Sequence, residues 1–204
     1  MVVFLHGFLG APSDWDPVIS LLPFHCVACE LPGHGKTPFA PSWDMPLRRA
    51  HLVGYSLGGR IAAEFAGTHP ERVLSLTLLS AHSGLDTETE KQDRFKTDAK
   101  WAELLKTLPM EEFLKRWYAQ PLLSSFTPDL EKRRKHSPAA LAETLLHYSL
   151  ARQKKIDMKQ VLVGEWDLKF RALHPDGVVI EKAGHQVHLE NPRAVADIIR
   201  RRVL

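Results

Sequence analysis

The sequence predicts an α/β fold: a mostly parallel sheet flanked by helices and interrupted by an inserted helical lid. Three observations lead there. Short continuous apolar runs recur at Val2–Leu5, His25–Leu31, Ala50–Tyr55, Val73–Ala81, Val161–Gly164 and Val178–Ile180, as expected of strands covered on both faces. The run at Ala50–Tyr55 passes through a tight turn into an apolar, alanine-rich helical pattern, the alternation that builds parallel sheets. Residues 82–156 differ in kind, being charged and amphipathic with almost no strand-like run. The expected division is therefore a core of residues 1–81 and 157–204 and a lid of residues 82–156. With 204 residues, 44% hydrophobic and 25% charged, the chain is long enough for one sizeable core of ordinary composition.

Taken in order, Val2–Leu5 ends in the glycine-rich turn His6-Gly7-Phe8-Leu9-Gly10, and a helix is expected over Asp16–Leu22. The next run ends in Pro32-Gly33-His34-Gly35, again at the carboxyl end of a strand, the edge where open α/β sheets bind ligands. From Gly35 to His51 there is no helical periodicity, and Pro38, Pro41 and Pro46 break what could form. Parallel neighbours need a crossover of at least ten or so residues, usually carrying a helix. Either a helix has been lost, or the chain is discontinuous between about Trp43 and Arg48; a break is the expectation. Ile61–Thr68 continue the helix after the tight turn until His69-Pro70 stops it. Inside the insertion, Phe95, Ala102, Leu105 and Leu108 keep helical spacing, as do Phe113, Leu114, Trp117 and Tyr118, and a third helix spans about Ala139–Arg152. No clear helix is expected between Asp167 and His174-Pro175. Asn191 caps the last helix, with Pro192 at its first position and Val195, Ile198, Ile199 and Val203 as its buried stripe.

Gly54-Tyr55-Ser56-Leu57-Gly58 is Gly-x-Ser-x-Gly between a strand and a helix, the context of a nucleophile elbow. Such a turn strains the serine backbone and aims N–H groups at whatever the serine attacks. The N–H of Leu57 and that of Phe8 are the candidate oxyanion donors. Asp167 and His185 each follow a predicted strand, giving the order Ser56…Asp167…His185. In that set the imidazole deprotonates the serine hydroxyl and the carboxylate holds its tautomer. Either residue alone would be ambiguous; their co-occurrence at strand ends carries the reading. His185 and His188 form H-x-x-H without a nearby glutamate of the metalloprotease kind, and Cys26 and Cys29 would point to opposite faces of a strand with no second pair. No metal and no cofactor are expected, and the cysteines read as buried thiols in a reducing cytoplasm. Lys132-Arg-Arg-Lys135 reads as a solvated face. A net charge of +3 is too small to argue for nucleic acid, and no apolar run reaches a membrane span of roughly 20 residues. The amino-terminal run has no basic flank or cleavage site, so a cytoplasmic monomer acting on a small molecule is expected.

Phe4-Leu-His-Gly-Phe-Leu-Gly10, Leu31-Pro-Gly-His-Gly35, Leu52-Val-Gly-Tyr-Ser-Leu-Gly-Gly-Arg60, Gly164-Glu-Trp-Asp-Leu-Lys-Phe170 and Ala183-Gly-His185…Glu190-Asn-Pro192 together resemble one branch of the α/β hydrolases. That branch is the 2-succinyl-6-hydroxy-2,4-cyclohexadiene-1-carboxylate synthases of menaquinone biosynthesis. The likeness continues through Arg94-x-x-x-Asp98-x-x-Trp101 and Trp117-Tyr-x-Gln-Pro121, and so covers nearly the whole chain. It implies a lyase whose triad removes a proton next to a ketone, whose oxyanion hole holds an enolate-like oxygen, and from which pyruvate leaves. It also implies a tricarboxylate substrate met by Arg60, Arg94 and Arg133 (or Arg134, one step away), with Tyr55 and Trp117 lining the pocket. Arg60 has independent support, since a cation in the first turn of a helix opposes the dipole unless an anion binds there. A serine esterase shares the triad but should have an apolar pocket without converging arginines.

Overall fold

The computed structural model describes all 204 residues. Six strands, β1 (Val2–Leu5), β2 (Cys26–Cys29), β3 (Ala50–Tyr55), β4 (Val73–Leu79), β5 (Leu162–Gly164) and β6 (Val178–Ile180), form one sheet in the order β2-β1-β3-β4-β5-β6. Every pairing is parallel. Register fixes the site: Leu5 pairs with Gly54, so β1 and β3 end level and the turn after β1 lies beside the turn after β3.

Alternate strand residues feed two cores, which is why the strands read as unbroken apolar runs. Val3, Leu5, Leu52 and Val163 pack on one face with Leu57, Ile61, Ala62 and Phe65. Val2, Phe4, Val53 and Leu162 pack on the other with Trp15, Val18, Val195 and Ile199. Cys26 borders the second core and Cys29 the first, so the two free thiols do face opposite ways. Burying each large aliphatic or aromatic side chain contributes about 1.5–3 kcal/mol.

The helices are α1 (Asp16–Ile19), α2 (Leu57–Thr68), α3 (Glu88–Thr107), α4 (Met110–Tyr118), α5 (Leu130–Arg133), α6 (Pro138–His147), α7 (Leu168–Leu173), α8 (Val187–Glu190) and α9 (Pro192–Val203). The helix expected over Asp16–Leu22 is split, its first turn being a 3-10 turn at Pro12–Trp15. α6 stops at His147, and a separate turn at Leu150–Arg152 completes the stretch expected to be one helix. α7 corrects the expectation of no helix before His174. Asp167 caps it by accepting from Phe170 N–H at 3.1 Å, so the capping residue that starts it had been read only as chemistry. Asn191 and Pro192 start α9 as expected, although its fully buried face is Val195, Ala196 and Ile199 while Ile198 is only half-buried.

No helix fills the crossover near Trp43–Arg48, in keeping with its lack of helical periodicity. Residues 36–49 run from β2 to β3 as an irregular connection without a helix. Alternate apolar side chains replace the missing cover: Trp43 and Leu47 pack on the α2-side core, Met45 is 2% exposed, and the Trp43 ring lies 5.3 Å from that of Phe65. Arg72 pins the segment, donating to Asp44 Oδ1 at 2.7 Å and to the Met45 and Leu47 carbonyls at 2.9 and 3.0 Å.

Between β4 and β5 the chain is helical. Ala102, Leu105, Phe113, Leu114, Leu141, Ala142 and Leu145 form a third apolar cluster, which Leu9 and Phe8 of the turn after β1 join from below. Helix starts here are well capped: Thr87 and Glu90 form a reciprocal box at α3, and Ser137 with Pro138 opens α6. No helix is long and apolar enough to cross a membrane.

Candidate active site

Ser56 stands between β3 and α2 with φ 49° and ψ −112°, a backbone conformation that costs about 1–3 kcal/mol for a side-chain-bearing residue. Packing imposes it. A Cβ on Gly54 would stand 2.5 Å from the Gly58 carbonyl oxygen, and one on Gly58 would stand 2.3 Å from the His6 carbonyl oxygen. Only glycine allows β3, α2 and the end of β1 to approach this closely. The turn is then locked by Ser56 N–H donating to the Leu79 carbonyl at 2.8 Å. Leu57 is the first residue of α2, so its N–H has no acceptor within the helix. Phe8 N–H makes no hydrogen bond within the chain. A Cβ on the preceding Gly7 would lie 3.5 Å from Ser56 Cβ, which places that turn against the serine.

Three buried imidazoles hold the turn after β1, a role that composition gave no hint of. His6 Nε2 accepts from Leu31 N–H at 3.1 Å while its Nδ1–H donates to the Gly7 carbonyl at 2.8 Å. His34 Nε2 accepts from Leu9 N–H at 3.1 Å and its Nδ1–H donates to the Pro32 carbonyl at 3.1 Å. His136, from the loop between α5 and α6, donates from Nε2 to the Leu9 carbonyl at 3.1 Å and accepts from Gly35 N–H at 2.8 Å. Each ring accepts on one nitrogen and donates from the other, which is possible only for a neutral imidazole. Burial agrees, pushing His6 down to about 3 and lowering His34 and His136.

His185 and Asp167 are both buried, and His185 Nδ1 lies 2.7 Å from Asp167 Oδ2. The second carboxylate oxygen of Asp167 takes the α7 N–H already described, so neither oxygen is idle. An Nδ1–H bonded to Asp167 leaves Nε2 as the free base nitrogen. His185 Nε2 and Ser56 Oγ make no hydrogen bond to each other in this structure, although both line one cavity; such contacts are often loose without ligand. The His185 loop is tied down from both sides. Glu190 accepts from Gly184 N–H at 2.8 Å and from Gln186 N–H at 3.0 Å, and Ser80 Oγ donates to the His185 carbonyl at 2.8 Å. Glu190 thus acts on the backbone flanking His185, a role not visible in the motif that contains it.

That cavity, about 510 Å3, has the size of small-molecule sites. Tyr55, Leu57, Phe8 and Trp117 line it, together with Arg60 and Arg94. Burial and then the Arg94 charge lower Arg60 to about 10, which leaves it cationic at neutral pH. Its guanidinium donates to the Tyr148 carbonyl at 2.7 Å and to Gln153 Oε1 at 3.1 Å. Arg94 Nε donates to Asp98 at 2.8 Å, and Ser149 Oγ donates to the other Asp98 oxygen at 2.7 Å. Arg133 departs from expectation. It does not line this cavity but is 3% exposed beside Asp14, donating to both carboxylate oxygens at 2.8 and 2.9 Å in a separate chamber of about 20 Å3. Its charge is answered from within the protein. Arg134, the neighbouring alternative, pairs with Glu111 and Glu131 on the surface. The cavity also contains two basic side chains that the sequence reading missed, His82 and Lys169. No group of three or more His, Cys, Asp or Glu side chains is arranged to hold a metal ion.

Residues 1–162 match the family described as alpha/beta hydrolase fold. The 2-succinyl-6-hydroxy-2,4-cyclohexadiene-1-carboxylate synthase of Enterobacter sp. (strain 638) is 34% identical over 96% of this chain and 88% of its own length. The synthase of the same description from Salmonella heidelberg (strain SL476) is 34% identical over 96% and 90%. Among solved structures, MenH from S. aureus superposes with a TM-score of 0.83 at 24% identity, over 99% of this chain and 92% of that one. A thermophilic esterase from Thermogutta terrifontis gives 0.70 at 21% identity, over 99% and 88%, a likeness of fold. The Enterobacter match runs over 229 aligned positions, whereas 96% of 204 residues is about 196; that relative therefore carries about 33 positions without a counterpart here.

Proposed function

Because the chain belongs to the α/β-hydrolase-fold family and to its 2-succinyl-6-hydroxy-2,4-cyclohexadiene-1-carboxylate synthase branch, we propose that it is a carbon–oxygen lyase of menaquinone biosynthesis. Its substrate is then 2-succinyl-5-enolpyruvyl-6-hydroxy-3-cyclohexene-1-carboxylate and its products are the hydroxycyclohexadiene carboxylate and pyruvate. The observation that carries the reading is the meeting, in one cavity, of Ser56 and the His185–Asp167 pair with Arg60 and Arg94. An esterase for neutral substrates has no use for two guanidiniums lining its cavity.

The chemistry assigned to these residues follows their surroundings. Ser56, His185 and Asp167 act as a base: His185 Nε2 draws the proton of the Ser56 hydroxyl, and the set removes a proton from the carbon next to the succinyl ketone. The electron pair of that C–H bond moves onto the ketone oxygen, where the N–H groups of Phe8 and Leu57 stabilise it. When the enolate collapses, a C2–C3 double bond forms, the ring double bond shifts from C3–C4 to C4–C5, and the C5–O bond to the enolpyruvyl group breaks. The leaving enolate takes a proton and becomes pyruvate. No water is consumed, which is why residues arranged as in a hydrolase serve an elimination. Arg60 and Arg94 orient substrate carboxylates, Tyr55 and Trp117 bound the ring, and residues 82–156 act as a lid that keeps water away.

Pyruvate formation tests the assignment. Incubated with the enolpyruvyl tricarboxylate, the protein should release pyruvate, read as NADH loss through lactate dehydrogenase, and should hydrolyse 4-nitrophenyl acetate far less efficiently. Efficient ester hydrolysis with no pyruvate release would overturn the lyase reading.

A further inference from the structure

Beyond Arg60 and Arg94, the cavity carries cationic and donor capacity that nothing in the protein uses. His82 follows the end of β4, and Lys169 lies two residues after Asp167 in the first turn of α7. Both line the cavity with Ser56 and His185. His82 Nδ1 accepts from Gly84 N–H at 3.1 Å, so in the neutral ring the proton sits on Nε2, which has no partner in the protein. The ring is neutral because burial, and then the neighbouring charges of Lys169, Arg94 and Arg60, lower it to about 4. Lys169, an exposed residue of the cavity lining, forms no ion pair, whereas Arg60 and Arg94 already donate to Tyr148, Gln153 and Asp98. Asp98 is the one acid in the lining, and Arg94 and Ser149 occupy both its oxygens. Three permanent cations thus face one carboxylate, an imbalance that a polyanionic ligand would relieve. The Phe170 ring contacts both His82, at 6.0 Å between centroids, and His185, at 4.7 Å, which sets His82 next to the reacting end of the cavity.

We propose that His82 and Lys169 form a carboxylate subsite, in which one substrate carboxylate accepts from His82 Nε2–H and pairs with the Lys169 ammonium. The inference rests on the lyase reading for the identity of the substrate, and on the cavity alone for its chemistry. Two carboxylates could occupy it, that of the leaving three-carbon acid and that of the succinyl arm, and both present the same planar anion.

His82→Phe and Lys169→Met remove the two partners; His82→Gln and Lys169→Arg keep a donor at each place. For the tricarboxylate, each of the first pair should raise KM about ten-fold or more with kcat within about three-fold, and the second pair should restore much of the loss. Inhibition by small acids assigns the occupant: a weaker Ki for the product pyruvate in the first pair points to the leaving acid, and a weaker Ki for succinate, a mimic of the side chain, to the succinyl arm. Either result supports the subsite. Tricarballylate binding, followed by fluorescence of Trp101 and Trp117 in the cavity wall, needs no turnover. If the wild type makes no pyruvate yet binds tricarballylate, and His82→Phe and Lys169→Met weaken that binding, the subsite stands while the lyase reading falls. Unchanged KM, Ki and tricarballylate affinity in both variants would overturn the subsite.

Discussion

At φ 49° and ψ −112°, Ser56 is held where glycine would be more comfortable. Ser56→Gly should therefore stabilise the protein, by up to about 2 kcal/mol, since the relieved strain exceeds the added chain entropy. Ser56→Ala should leave the melting temperature nearly unchanged, and both variants should lose turnover by several orders of magnitude. Steady-state assays beside thermal melts separate the two effects, and a Ser56→Ala variant with a tenth of wild-type activity would sink the role assigned to this serine. The arginines divide in a second way. Arg60→Ala and Arg94→Ala should lower kcat/KM for the tricarboxylate by roughly ten- to a hundred-fold while altering neutral ester hydrolysis little. Arg133→Ala leaves Asp14 as a buried, unpaired charge and should instead cost about 3–5 kcal/mol of stability, read in a denaturant titration. The proposed set of Ser56, Asp167 and His185 could be assembled from the sequence because each follows closely on an apolar run whose period is local. It could not place Arg133, because its partner Asp14 lies 119 residues away and ion pairing across such a distance leaves no periodic trace.

Elements carry a second layer of the design. The strands were legible because residues buried on both faces leave continuous apolar runs, and β1, β3 and β6 have the bounds the runs suggested. The connection at residues 36–49 shows no helical period because its cover by Trp43, Met45 and Leu47 follows alternation in an irregular segment clamped from afar by Arg72, a contact that leaves no local trace. Arg72→Ala should accordingly destabilise the protein by about 1–3 kcal/mol, by releasing two carbonyls and a carboxylate. A change below about 0.3 kcal/mol in the same titration would mean the clamp is ornamental. The histidines of the turn after β1 were equally hidden, since a histidine that accepts one N–H and donates to one carbonyl looks in sequence like any other. His136 is the member contributed by the inserted helices, and it grips Leu9 beside the Phe8 N–H. It couples the position of the insertion to one of the two N–H groups proposed to stabilise the enolate oxygen.

At the scale of the whole molecule, buried imidazoles set a pH limit on the fold. His6 and His188 are fully buried and are each pushed down to about 3, chiefly by desolvation. His188 makes the case plainly: its ring lies 4.5 Å from Trp15 and 4.3 Å from Tyr55, and neither nitrogen has a partner within the protein. In the unfolded chain both histidines titrate near 6.5. Between about pH 6.5 and 3 the unfolded state therefore binds more protons than the folded one, and stability must fall as pH falls through that window. Each such group removes about 2 kcal/mol on going from pH 7 to pH 5, so His6 and His188 together account for about 4 kcal/mol out of a typical total of 5–15. For a chain of this length that corresponds to a drop in melting temperature of roughly 8–16 °C. His188→Phe keeps the aromatic stack and removes one titrating site, so its pH 7 to pH 5 loss should be smaller by about 2 kcal/mol. Thermal melts of both proteins across this range give the comparison directly. A melting temperature independent of pH, or a His188→Phe slope equal to that of the wild type, would show that these rings do not stay neutral in the folded protein.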